Sequence, residues 1–138
     1  MTKQSRAGTK RARIKILVIE DNGEDFVLLT AIVSQIPNQK YDLDFAGDWA
    51  SAEKMLAKKS YDVVITDYYL GSESALDVIA GIKVLGYDTP VVVLTAASSL
   101  DSDMQAMEIG AYDYLEKGSV SPETFDRCVR YVLARVGR

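Results

Sequence analysis

Residues 62–70 read Asp-Val-Val-Ile-Thr-Asp-Tyr-Tyr-Leu. Within them the apolar run Val63-Val64-Ile65-Thr66 has the pattern of a fully buried strand. Asp67 ends that strand. A carboxylate there stands where open α/β sheets carry out chemistry. Acidic residues end many strands, so Asp67 gains meaning only from its counterparts. Ile16-Leu17-Val18-Ile19 ends in Glu20-Asp21, Val91-Val92-Val93-Leu94 ends in Thr95, and Tyr114-Leu115-Glu116 ends in Lys117. Three carboxylates, a hydroxyl and an amine on one sheet edge suit a magnesium and phosphoryl site.

Working outward, strand-type runs occur near 15–20, 41–46, 62–67, 90–95 and 113–116, and a helical pattern follows each. The first helix is expected over 23–36, with Phe26, Leu29, Val33 and Ile36 on one face and Pro37 as its stop. Asp48 is the expected N-cap of the second, which ends near Lys58-Lys59. Ser74 and Asp77 form a capping-box pattern for the third, with Gly86 at its C′ position. The fourth is expected to start among Ser99–Ser102 and end at Gly110. Ser121-Pro122 signals the start of the fifth, whose apolar face is Phe125, Val129, Val132 and Val136.

Strand and helix alternating five times imply a doubly wound α/β fold, with a parallel sheet covered on both faces by right-handed crossovers. Tyr41-Asp42-Leu43-Asp44-Phe45 alternates in polarity and reads as an edge strand; the runs centred on Leu17-Val18, Val64-Ile65 and Val92-Val93 read as central. The flavodoxin-like order 2-1-3-4-5 places the switch point between the strands that carry Glu20-Asp21 and Asp67.

With 138 residues, the chain has the size of one domain. Cys128 stands alone, which excludes an internal disulfide and fits a reducing compartment. No apolar run is long enough to span a bilayer, and no signal-peptide core follows the basic start. With no histidine, the chain can be neither a phosphohistidine donor nor a user of a histidine base or ligand. Residues 1–15 carry six Lys/Arg and no acid, while the other ten Lys/Arg face all 20 acids, a net −10. Residues 1–13 read as a basic, disordered leader: a solvated tail, or a tether to an acidic partner or to nucleic acid. The domain is expected over 14–138. Its acidity suits a cation site and argues against nucleic-acid binding by the folded part.

The constellation has a definite chemistry. Carboxylates gathered at one point need a hard cation, and magnesium prefers one or two carboxylates with waters and phosphate oxygens. Asp67 can attack a phosphoryl group and form an acyl phosphate. Lys117 and Thr95 can hold phosphoryl oxygens, in a reaction governed by positioning and charge neutralisation.

These stretches, Ile16–Asn22 (ILVIEDN), Asp62–Leu70 (DVVITDYYL), Pro90–Ala96 (PVVVLTA) and Gly110–Lys117 (GAYDYLEK), resemble the receiver domain of two-component response regulators over roughly residues 14–136. The resemblance implies that Asp67 is the phosphoacceptor and Asp21 a direct magnesium ligand. Glu20 would act mainly through water, and the backbone carbonyl of Tyr69 would complete the set; manganese can substitute. Thr95 becomes the switch hydroxyl, Lys117 the phosphate-binding lysine and Tyr114 the switch aromatic. Tyr114 also has a plainer reading as a packing residue. The implied partners are a sensor histidine kinase or histidine phosphotransfer protein and a separate output protein, with a homodimer open. The chain would be a cytoplasmic phosphoacceptor, catalysing only its own phosphorylation and dephosphorylation, and would signal through the face of its fourth helix, fifth strand and fifth helix. It is a stand-alone receiver or a piece of a longer regulator.

Three positions are expected to modulate this site. Lys117-Gly118 stands where the family commonly has Lys-Pro with a cis bond, so a trans bond and a looser loop are expected. Tyr69, two residues after the acceptor, is expected to shield the acyl phosphate from water. Ala97, two residues after Thr95, is the third. Other readings are a pseudo-receiver that ignores phosphate and a phosphatase with an aspartyl-phosphate intermediate. The phosphatase needs an acid two residues after its nucleophile, where this chain has Tyr69. A flavin site would put the flavin phosphate against the acidic Asp21–Asp25 loop. Trp49 and Cys128 read as packing residues.

Overall fold

The computed structural model describes residues 12–96, 107–108 and 110–136. Its elements in chain order are β1 (Ile14–Ile19), α1 (Gly23–Val33), β2 (Tyr41–Ala46), α2 (Trp49–Lys58), β3 (Val63–Asp67), β4 (Tyr69–Leu70), β5 (Glu73–Ser74), α3 (Ala75–Val84), β6 (Val91–Thr95) and β7 (Asp113–Glu116). A 3-10 turn at Lys117–Ser119 leads into the final helix, Pro122–Val136. The expected fourth helix and Ala97 lie outside the described residues, apart from Met107 and Glu108, which are helical. Of the leader, only Ala12 and Arg13 are described; Arg13 Nη1 donates to Asp42 Oδ1 at 2.6 Å.

The five long strands form one sheet in the order β2-β1-β3-β6-β7, and every pairing is parallel. Set apart from the small β4–β5 hairpin, this is the flavodoxin-like 2-1-3-4-5 arrangement. The alternating strand β2 lies at an edge, as its pattern predicts, and its first four residues are only half-buried. Strand side chains alternate between two cores. Leu17, Ile19, Val64, Val91 and Val93 pack with Ala52 and Leu56 of α2 and with Val78, Ile79 and Ile82 of α3. On the other face Ile16, Val18, Val63, Ile65, Val92 and Leu94 pack with Leu29 and Val33 of α1 and with Phe125, Val129 and Val132 of the final helix. Both faces being covered explains why β1, β3 and β6 read as unbroken apolar runs.

Local signals set the helix starts. Asn22 Oδ1 accepts from Glu24 N and Asp25 N to cap α1. Asp48 accepts from Ser51 N at 2.8 Å to cap α2, and Ser74 and Asp77 complete a capping box on α3. Ser121 and Thr124 exchange bonds at the head of the final helix, Thr124 N donating to Ser121 Oγ and Ser121 N to Thr124 Oγ1. Gly86 takes φ 82° just past α3, a left-handed C′ position.

Two details differ from the expected pattern. Helix α1 ends at Val33 rather than 36, because Ile36 N bonds back to Val33 O in a tighter turn. Ile36 is still 8% exposed, so its burial, not helicity, created the periodic signal. The β4–β5 hairpin turns at Gly71 with φ 69°, and its two-residue strands are too short to leave a period in the sequence.

Candidate functional site

Register brings the reactive strand ends together. Ile19 lies opposite Ala46 and Thr66, so Glu20 follows β1 at the level where Asp67 ends β3. Asp67 faces Leu94, placing Thr95 one step further along β6. Thr95 faces Glu116, with Lys117 next in line. A parallel sheet aligns these carboxyl ends on one edge, and the order places β1 beside β3 at the switch point.

Carboxylate oxygens of Glu20, Asp21 and Asp67 lie within 4.8 Å of one another. Their exposures are graded: Glu20 is buried, Asp67 half-buried and Asp21 exposed. Glu20 Oε2 accepts from Asn22 N at 3.2 Å. Its Oε1 is buried and accepts no hydrogen bond, although the Lys117 ammonium stands 3.3 Å away. That contact is electrostatic and lacks hydrogen-bond geometry. Burial, with the negative charge of Asp67 added, pushes the Glu20 carboxyl up to about 7 against the opposing pull of Lys117. A buried carboxylate with an orphaned oxygen, facing two other acids, suits a hard cation and its bound water.

Lys117 Nζ sits 3.1 Å from Asp67 Oδ2. Burial disfavours its charge, but the carboxylates of Asp67, Glu20 and Asp25 outweigh that and raise its pKa above the ordinary lysine value. Asp25, in the first turn of α1, was not singled out by the sequence; its Oδ2 lies 3.2 Å from Lys117 Nζ. An acid in a first helical turn reads as a complement to the helix dipole, so no local signal distinguishes it.

The remaining expected residues are placed with less contact. Thr95 is 2% exposed, and its hydroxyl donates to Ala96 O at 3.3 Å. The Tyr114 side chain is on the surface, 46% exposed. Tyr69, 62% exposed, stands edge-on to Tyr68 with ring centroids 4.7 Å apart. Gly118 lies in the 3-10 turn, and no described peptide bond is cis. Ser119 Oγ donates to Glu116 Oε1 at 2.7 Å across that turn.

Residues 16–128 match the family model described as response regulator receiver domain. Among curated proteins, the transcriptional regulatory protein BasR of Escherichia coli (strain K12) is 32% identical over 122 residues, which cover 88% of this chain and 53% of BasR. The response regulator protein PilR of Pseudomonas aeruginosa is 33% identical over 106 residues, 77% of this chain and 23% of PilR. The chain therefore spans about a half of the first relative and about a quarter of the second. Among solved structures, a response regulator receiver domain protein from Clostridium thermocellum superposes with a TM-score of 0.74 at 27% identity, covering 88% of this chain and 95% of that one. The beryllofluoride-activated NtrC4 receiver domain, solved as a dimer, gives 0.76 at 27% identity over 88% and 98%.

Proposed function

Since this chain belongs to the response regulator receiver family of two-component systems, we propose that it accepts a phosphoryl group on Asp67 and signals through the resulting change of shape. The observation that carries this reading is the Lys117 ammonium 3.1 Å from Asp67 Oδ2, beside an acidic trio within 4.8 Å. An amine and a cation site beside one carboxylate are what a phosphoryl acceptor needs.

Glu20, Asp21 and Asp67 would hold the metal, with the backbone carbonyl of Tyr69. Glu20 Oε1, buried without a donor, supports that assignment. When bound, magnesium, or manganese in its place, neutralises charge on the phosphoryl oxygens. The chain's own part is an in-line displacement. A carboxylate oxygen of Asp67 attacks phosphorus, and the bond from phosphorus to the donor's histidine nitrogen breaks, its electron pair staying on that nitrogen. The product is an acyl phosphate. The chain has no histidine, so that group belongs to a kinase or a phosphotransfer protein. Lys117 moves from the Asp67 carboxylate to a phosphoryl oxygen. Thr95 turns its hydroxyl from Ala96 O toward the same group, and Tyr114 leaves the surface behind it. That remodels the face beside β7 and the final helix, where an output partner or a second copy docks. Tyr69 shields the acyl phosphate from water, and Ala97 and Gly118 are the further positions that modulate the site. No described helix is long and apolar enough to cross a membrane, and we assign the site of action to the cytoplasm.

The test is intact mass after incubation with magnesium and a small phosphodonor such as acetyl phosphate. The expected result is a single phosphoryl adduct, absent in Asp67→Asn and absent after chelation. Rapid turnover of phosphomonoesters would show a phosphatase instead, and no adduct with any donor would leave an interaction module of the same fold.

A further inference from the structure

The Lys117 ammonium has three N–H donors, and three carboxylates surround it: Asp67 at 3.1 Å, Asp25 at 3.2 Å and Glu20 at 3.3 Å. They come from three different elements. Asp67 ends β3, Glu20 follows β1, and Asp25 stands in the first turn of α1. Their surroundings differ as sharply. The Glu20 side chain is 2% exposed, that of Asp67 14% and that of Asp25 42%. Nor is Asp25 needed to cap α1, because Asn22 Oδ1 already accepts from the first-turn amides.

We propose that Asp25 is a positioning residue that holds Lys117 in the unphosphorylated protein and competes with the phosphoryl group for its ammonium. This rests on the receiver reading above. A phosphoryl group on Asp67 brings new acceptor oxygens and about two negative charges to the lysine. Lys117 already donates to Asp25 Oδ2 and stands at ion-pair distance from Asp67 and Glu20, so the new oxygens compete with these contacts. The Asp67 carboxylate becomes part of the acyl phosphate itself, and Glu20 is sealed from water beside it, so its charge cannot be released to solvent. Asp25 is wet, and releasing it to water costs little. It is therefore the partner that leaves. Until it does, its own charge repels the incoming group, so Asp25 biases the chain toward its unphosphorylated form.

The experiment uses the full chain with magnesium and increasing acetyl phosphate, reading Asp67 occupancy by intact mass. Asp25→Asn and Asp25→Ala are expected to reach half occupancy at about twofold to fivefold less donor than wild type, the range of a partly exposed charge pair. The advantage should shrink in high salt, because screening weakens a charge effect and leaves a packing effect untouched. Glu24→Gln removes a charge from the same turn and is expected to move the midpoint less. A second readout needs no phosphoryl group: the ε-methylene resonances of Lys117 should move in Asp25→Ala and stay in Glu24→Gln. Equal or lower occupancy in the Asp25 variants, or unmoved Lys117 resonances, overturns the proposal. If wild type takes up no phosphoryl group, the receiver reading fails on its own. The resonances then still decide whether Asp25 holds the lysine.

Discussion

At the scale of single residues, the site is organised by unequal access to water. Glu20 is sealed, Asp67 half-open and Asp21 wet, and burial makes the charged form costly at Glu20. The same reasoning makes Cys128 inert. Burial, followed by the nearby charge of Asp113, pushes its thiol up to about 12, and its Sγ stands 3.8 Å from Asp113 Oδ2. Only the thiolate reacts. Iodoacetamide at pH 8 should therefore leave native Cys128 unmodified and label it quickly in urea; rapid labelling of the folded chain would contradict its burial. Tyr69 makes the opposite case, a large ring left 62% exposed next to the acceptor. Tyr69→Asn is expected to speed loss of the acyl phosphate about threefold, which needs about 0.6 kcal/mol in the barrier. Chasing the adduct by mass checks it, and an unchanged lifetime removes the shielding role.

At the scale of elements, contacts between neighbours decide what each can tolerate. A Cβ on Gly81 of α3 would come 2.5 Å from Cζ2 and 2.8 Å from Cε2 of Trp49, the first residue of α2. Alanine in a helix interior normally gains about 1 kcal/mol over glycine. Here it must displace an indole, at a cost of about 1–3 kcal/mol. Gly81→Ala is thus expected to lower stability in urea despite its better propensity. Trp49 was legible as packing, but its partner Gly81, on a different helix, was not. The edge strand β2 shows a second device. Lys59 Nζ and Tyr61 Oη both donate to Asp44 Oδ2, at 2.8 and 2.6 Å. These bonds hold the Asp44 carboxyl below its ordinary 3.8, outweighing a small opposite effect of burial. A lowered acid stabilises the fold above its unfolded pKa and loses that contribution as pH falls through the folded one. Asp44→Asn should therefore cost up to about 1 kcal/mol at pH 7. The difference from wild type should begin to shrink as pH drops below about 3.8 and vanish only below the lowered folded value.

At the scale of the whole molecule, an acidic body gathers Glu20, Asp21 and Asp67 at the sheet's switch point. A cation that binds the folded site alone must stabilise the fold by mass action. Magnesium at ten times its dissociation constant is expected to add about 1.4 kcal/mol. For a chain of this size that raises Tm by about 5 °C, reversed by a chelator. Glu20→Gln should weaken the response, and an equal response would place the cation elsewhere.

By itself the sequence determined the fold class, the family and the strand ends that carry reactive groups. Strands covered on both faces must be apolar along their length, and caps and C′ glycines act through neighbours one to three residues away. Such constraints are written locally. The tertiary structure decided what lies between distant segments. It ended α1 at Val33 while keeping Ile36 buried, and it formed the β4–β5 hairpin from strands too short to show a period. It left the Tyr114 side chain on the surface. Above all it joined Asp25 to Lys117 across 92 positions of chain. The reason is physical: a local pattern records whether a residue is buried, whereas a charge pair is selected by the register of a sheet and the angle at which a helix meets it.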